Sequence, residues 1–132
     1  SIIFVYPWTG RPGHANPPDW DKIPGAHGST PEAQGFEALI DQYKARGIQI
    51  VGLSTQSREW QREFAARIGL TYPLMSDSEL KVADALQLPR FQTGGVAYLK
   101  RLTLMCREGL IVRAFYPVCA PDRHAADLLA ML

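Results

Sequence analysis

Residues Ile2-Ile-Phe-Val-Tyr6 form an unbroken apolar run of strand length, as in a central strand covered on both faces. From Trp8 to Gly28 the periodicity disappears, and Pro12, Pro17, Pro18, Pro24 and several glycines mark a long loop. Loops of this length are usually functional or mobile; Trp20 and Ile23 are placed to pin it to the body. Phe36, Leu39, Ile40 and Tyr43 recur at helical spacing, which predicts a helix from Thr30 to about Arg46 with Gly47 as its stop. Ile48–Leu53 reads as a second strand, followed by a turn over Ser54–Ser57. Ser57-x-x-Trp60 opens a helix with Trp60, Phe64, Ala65 and Ile68 on one face, ended by Gly69. Tyr72–Ser76 is a brief strand or extended link, and Asp77 or Ser78 caps a short helix through Leu86. Pro89 to Gly95 reads as an irregular connection. Val96–Cys106 and Leu110–Pro117 make a hairpin about Glu108-Gly109. Pro121 and Asp122 open a last helix with Ala125, Leu128, Leu129 and Leu132 as its inner face.

Strand, helix, strand, helix, hairpin and last helix describe an α/β fold, a mixed sheet with helices on both faces. The 132 residues suit one domain with one core. A net charge of +1 without basic or acidic blocks removes the electrostatic case for nucleic acid or an anionic membrane surface as partner. No apolar run nears the ~20 residues needed to span a bilayer, and the first residues lack the basic leader and small-residue cleavage site of a signal peptide.

The two cysteines, Cys106 and Cys119, read as unbridged. A turn at Glu108-Gly109 pairs Cys106 with Ile111 and sets Cys119 opposite Tyr98, eight residues from Cys106. At roughly 3.3 Å per residue, that separation exceeds the ~7 Å Cα limit for a disulfide. Two free thiols suggest a reducing, cytoplasmic setting. Cys106 reads as a small buried hydrophobe.

Candidate chemistry centres on Gly25-Ala-His-Gly-Ser-Thr-Pro-Glu-Ala-Gln-Gly-Phe36, where the loop becomes a helix. A helix N-terminus with free N–H groups, following a strand, is a site for an anion or a thiolate. This places a reactive residue at Ser29 or Thr30. The structural reading of the same residues is a capping box, Ser29-x-x-Glu32, with the serine as cap and Glu32 reaching back. Thr30 with Pro31 at the first helical position is an equal alternative. His14, His27 and His124 lack ligand spacing, so no metal is expected. No phosphate loop or dinucleotide fingerprint is present, so no cofactor is expected either. His27 is close enough to Ser29 in sequence to donate to a bound anion.

Tyr6-Pro7, Gly28-Ser-Thr-Pro-Glu-Ala-Gln-Gly-Phe36, Gly52-Leu53-Ser54, Pro73-Leu-Met-Ser-Asp77 and Lys100-Arg-Leu-Thr-Leu104 resemble the bacterioferritin-comigratory, PrxQ-like group of peroxiredoxins in the AhpC/TSA (redoxin) superfamily. The resemblance runs from Ile2 to the last helix. It implies a thioredoxin-like fold, usually preceded by an N-terminal hairpin. It also implies reduction of hydrogen peroxide or an alkyl hydroperoxide with electrons from thioredoxin or another thiol, by a monomer or homodimer. In that group the helix begins Gly-Cys-Thr-x-x-x-Cys-Gly-Phe, with a peroxidatic Cys and a resolving Cys five residues on. Those positions here hold Ser29 and Gln34. A serine hydroxyl is barely ionised and has no sulfenic state, so the resemblance implies the site's architecture without turnover. Gln34 has no redox chemistry and reads as an exposed helix residue.

Arg101, in Arg-Leu-Thr-Leu, matches the family's strand arginine, which holds the peroxide oxygen and lowers the thiol's pKa. The family's active-site threonine, three residues before the Cys, is replaced by Ala26, and Thr9 is the candidate to fold back in its place. Cys119, near the start of the last helix, is open to the role of a displaced resolving thiol, although without sulfur at Ser29 it has nothing to resolve. The alternative function is a non-enzymatic module of the same fold that binds a small anion or a protein through the loop from Trp8 to Gly28.

Overall fold

The computed structural model describes residues 1–132. The opening apolar run is strand β1, Ile2–Val5, and the chain then crosses the Pro-rich loop, where a single 3-10 turn forms at Trp20–Lys22. Helices α1 (Ser29–Ala38) and α2 (Ile40–Ala45), strand β2 (Ile50–Ser54), helix α3 (Arg58–Ile68) and strand β3 (Leu74–Ser76) follow. Next come α4 (Lys81–Leu86), β4 (Arg90–Thr93), β5 (Val96–Leu99), β6 (Leu102–Arg107), β7 (Leu110–Phe115) and α5 (Pro121–Ala130). Five strands form one sheet in the order β3-β2-β1-β6-β7. Strand β1 is parallel to β2 and antiparallel to β6, so it lies in the middle, as its composition requires.

Alternation along β1 divides the core. Ile2, Phe4 and Tyr6 join Phe36, Tyr43, Phe64, Ala125 and Leu128 in one buried cluster. Val5 joins Leu53, Ala83, Leu99, Leu102 and Leu104 in another. Helices therefore cover both faces, and the fold is a mixed α/β, thioredoxin-like one. No helix is long and apolar enough to cross a membrane.

Several local signals act as read. Ser57 caps α3 by accepting from the Trp60 N–H at 3.2 Å, and Gly69 ends that helix in the left-handed region. Asp77 holds the start of α4, its carboxylate accepting from the N–H groups of Val82 and Ala83 at 3.0 and 2.8 Å. Cys106 pairs with Ile111 across the Glu108-Gly109 turn. Trp20 is 4% exposed and packs on Trp8, Phe91 and Tyr98, so it does pin the loop.

Other expectations are corrected. The helix expected from Thr30 to Arg46 breaks at Leu39, whose N–H turns to Phe36 O, a tighter bond than an α-helix makes. Pro89 to Gly95 is not irregular: β4 pairs antiparallel with β5 across Gly94-Gly95, both at positive φ, as a two-residue hairpin turn prefers. Val96–Cys106 is not one strand either. It divides at Lys100-Arg101, and β5 stays in the two-stranded sheet while β6 enters the central one. Cys119 consequently does not face Tyr98; β7 ends at Phe115, and Tyr98 pairs with Phe91. Both cysteines are free. Leu132 lies beyond the end of α5 and is 38% exposed, so it is no part of the inner face.

Candidate active site

The N-terminus of α1 is set by Gly28, which occupies the cap position with φ 112°. A Cβ there would sit 2.4 Å from Pro121 Cγ at the start of α5. Conformation and space therefore both demand glycine. With Gly28 as cap, Ser29 is the first helical residue, and its hydroxyl caps nothing. The capping box is overturned, because a serine cap needs extended backbone geometry at its own position. Pro31 has no N–H, and the N–H groups of Ser29 and Thr30 bond to no acceptor in the protein. A short row of free donors thus marks the positive end of α1.

Ser29 is 3% exposed and is reached by Arg101, which lies where β5 gives way to β6. Arg101 Nη1 donates to Ser29 Oγ at 3.1 Å and to Glu32 Oε1 at 2.8 Å. Its Nη2 donates to the carbonyls of Gly25, Ala26 and His27 at 3.2, 3.3 and 3.1 Å. One guanidinium thereby ties the end of the long loop to the first turn of α1. Glu32, read from the sequence as a helix cap, is fully buried one turn on and faces this arginine. Burial pushes its carboxyl up to about 7, against the pull of the Arg101 charge and hydrogen bond. Glu32 Oε2 and Arg101 Nε have no partner. The arrangement is one buried cation, one carboxyl poised near neutrality and a helix N-terminus, all around the Ser29 hydroxyl. Such a set can hold an anion or polarise a small oxygen-bearing molecule.

The side chains of the remaining candidates have other partners or none. Thr9 is buried, but its N–H and hydroxyl both donate to Gln56 Oε1, at 3.0 and 3.1 Å. Its carbonyl accepts from Gln56 Nε2 at 3.0 Å and from Trp60 Nε1 at 2.7 Å. Thr9 makes no hydrogen bond to Ser29 or Arg101. Gln34 is exposed on α1. The His27 imidazole pairs with Asp21 at 2.6 Å, and only its carbonyl meets Arg101. His124 is 9% exposed and bonds to Thr103 Oγ1 at 2.8 Å; burial lowers its pKa. Glu32 is the residue the sequence reading missed as a site member. Its only signal was a charged side chain on the helix turn that begins at Ser29.

A mixed α/β sheet with a buried arginine aimed at the first turn of α1 is a thioredoxin-like frame around a candidate anion site. The model of the AhpC/TSA family matches residues 24–118, and the chain belongs to that family. It is 30% identical over 135 residues to peroxiredoxin Bcp of Xanthomonas campestris pv. campestris, covering 99% of this chain and 74% of that one. The solved bacterioferritin comigratory protein of Xanthomonas campestris, whose structures address alkyl peroxide reduction, superposes with TM-score 0.75 at 27% identity over 98% of this chain and 74% of that one. Peroxidoxin BcpB of Mycobacterium tuberculosis superposes with TM-score 0.76 at 25% identity, over 98% and 75% of the two chains.

Proposed function

We propose that this chain carries the site of a PrxQ-type thiol peroxidase with Ser29 at the peroxidatic position, so that it binds a peroxide without reducing it. The observation that carries the reading is the 3.1 Å hydrogen bond from Arg101 Nη1 to Ser29 Oγ in a buried first turn. A thiolate at that atom would accept the same N–H, and the free N–H groups of Ser29 and Thr30 would add to its stabilisation. The parent reaction needs sulfur: the thiolate attacks one peroxide oxygen, the O–O bond breaks, water or an alcohol leaves, and a sulfenic acid remains for an external thiol to reduce. Ser29 supplies none of this. Gln34, exposed on α1, has no thiol to resolve a sulfenic acid, so thioredoxin or another thiol would be the reductant in a sulfur-bearing form. Two free thiols, Cys106 and Cys119, fit a reducing, cytoplasmic setting.

Ser29→Cys tests the reading. The parent should consume no hydrogen peroxide beyond what Cys106 and Cys119 account for. The variant should form a sulfenic acid at the introduced thiol, which should titrate well below the ~8.5 of a free cysteine. A thiol that titrates and reacts like free cysteine would refute the proposal, and the binding-module reading would take its place.

A further inference from the structure

We infer that β7 is the surface through which two copies of this chain pair, edge to edge and antiparallel. The inference is independent of the chemistry at Ser29. The central sheet has two edges, and only one of them is blunted. Strand β3 is three residues long and is bounded by Pro73 and Asp77, the short, proline-flanked form that discourages pairing. Strand β7 is six residues long and pairs on one side only, with β6.

The sequence of β7 carries little of the usual edge protection. It holds no Lys or Pro, and its single charge, Arg113, lies over the Phe115 ring at 4.7 Å from the centroid. Leu110, Ile111 and Val112 are 69, 45 and 51% exposed, and Tyr116, just beyond, is 52% exposed. These are four of the nine large apolar side chains that the chain exposes, so its open apolar surface gathers on this one strand. Such a patch marks an interaction site, and the ligand of an open strand edge is another strand.

The backbone selects the centre of the contact. Ser1 and Cys106 exchange both of their backbone hydrogen bonds, each 2.8 Å, so Cys106 turns its N–H and C=O toward β1. Alternation turns those of Thr103 and Met105 toward their partners on β7, Phe115 and Arg113. Ala114, between these two, presents its own N–H and C=O to the open edge. The pairing with β6 skips Val112, as at a bulge, so the regular part of β7 is centred on Ala114.

Charge selects a second copy as the occupant. Opposed residues of an antiparallel pair share a face of the sheet, so a strand that pairs with itself is centred on a residue. Centred on Arg113, the pair would oppose two guanidinium groups, which is destabilising. Centred on Ala114, it sets Arg113 against the partner's Phe115, a second ring face for the cation. It also sets Val112 against the partner's Tyr116, and the smallest side chain of the strand lies on the two-fold axis.

Sedimentation velocity from micromolar to millimolar concentration tests this. The parent should pass from the mass of one chain to that of two. Ala114→Lys and Ala114→Glu should each weaken the association by about tenfold or more, because like charges then meet on the axis. An equimolar mixture of these two variants should dimerise again, now with opposite charges paired. Ala114→Cys in a chain with Cys106→Ser and Cys119→Ser gives a readout that needs no loss of binding. Its thiol should link two copies on oxidation with diamide, and Lys81→Cys on α4 in the same background should not. A parent that stays a single chain at every concentration would overturn the inference. So would a dimer that Ala114→Lys leaves intact, or equal cross-linking of the two cysteine variants.

Discussion

Two buried polar clusters flank β1, and they are built on different terms. Around Thr9, Gln56 and Gln61 the groups are neutral. Gln56 clamps Thr9 through three hydrogen bonds, and Gln61 Nε2 donates to Ser54 Oγ at 3.0 Å and to the Met75 carbonyl at 2.8 Å. One amide oxygen, Gln61 Oε1, is left without a partner. Around Arg101 the groups are charged, and a carboxylate oxygen and a guanidinium N–H stay open. A neutral amide staple fixes one conformation at modest cost. A buried charged pair is a weak route to stability, so stability alone does not account for it. The first cluster holds the long loop to β2 and α3; the second carries the candidate chemistry.

The largest effect that distinguishes them should come from Arg101→Ala. It strands Glu32 in the core and removes the donor shared by the carbonyls of Gly25, Ala26 and His27. Breaking a buried pair on one side costs about 3–5 kcal/mol, measurable from the urea midpoint. The double change Arg101→Met with Glu32→Leu should recover much of that loss. In the Ser29→Cys background, however, the double variant should lose about 100-fold or more in peroxide reactivity, the scale of one preorganised charged donor. If the double variant keeps its reactivity, the charged cluster is only a staple and the contrast collapses.

Gln56→Leu should act in the opposite manner. It leaves the Thr9 N–H and carbonyl without their amide partner in a buried setting, a destabilisation of about 1–3 kcal/mol. In the Ser29→Cys background it should leave the pKa of the introduced thiol where it was. A shift of that pKa would join Thr9 to the site after all.

The sequence makes the frame legible where the signal is local. The apolar run of β1, the Ser57 and Asp77 caps and the Glu108-Gly109 turn each depend on residues within a few positions. Errors arise where a local pattern has a distant competitor. Ser29-x-x-Glu32 fits a capping box, but Gly28 at φ 112° takes the cap, and the partner of Glu32 is 69 residues away. Thr9 is bonded to Gln56, 47 residues on, a contact that no spacing rule encodes. Val96–Cys106 looks continuous because its apolar residues do not reveal that Arg101 leaves the ladder for the first turn of α1. The pairing of Ser29 with Arg101 came from the family resemblance, which reaches across the chain where periodicity cannot.

The last effect is the sharpest, because it reads the Glu32 charge alone. Its carboxyl is raised by burial from the 4.5 of an exposed glutamate to about 7. Between those values the folded chain holds a proton that the unfolded chain has released, so the stability Glu32 contributes is present below about 4.5 and is lost as pH rises through about 7. His124 acts in the other direction: burial lowers its pKa, so its contribution rises with pH below its ordinary 6.5. The difference in unfolding free energy between parent and Glu32→Gln cancels His124 and should decline from pH 4.5 to 7, then level off. A flat or rising difference would show that Glu32 is ionised throughout. The same substitution in the Ser29→Cys chain leaves the Arg101 charge unopposed, and the introduced thiol should titrate about one unit lower than with Glu32 in place. An unmoved thiol would mean that Glu32 and Ser29 share Arg101 in geometry only, and the charged cluster would then differ from the amide cluster in composition but not in task.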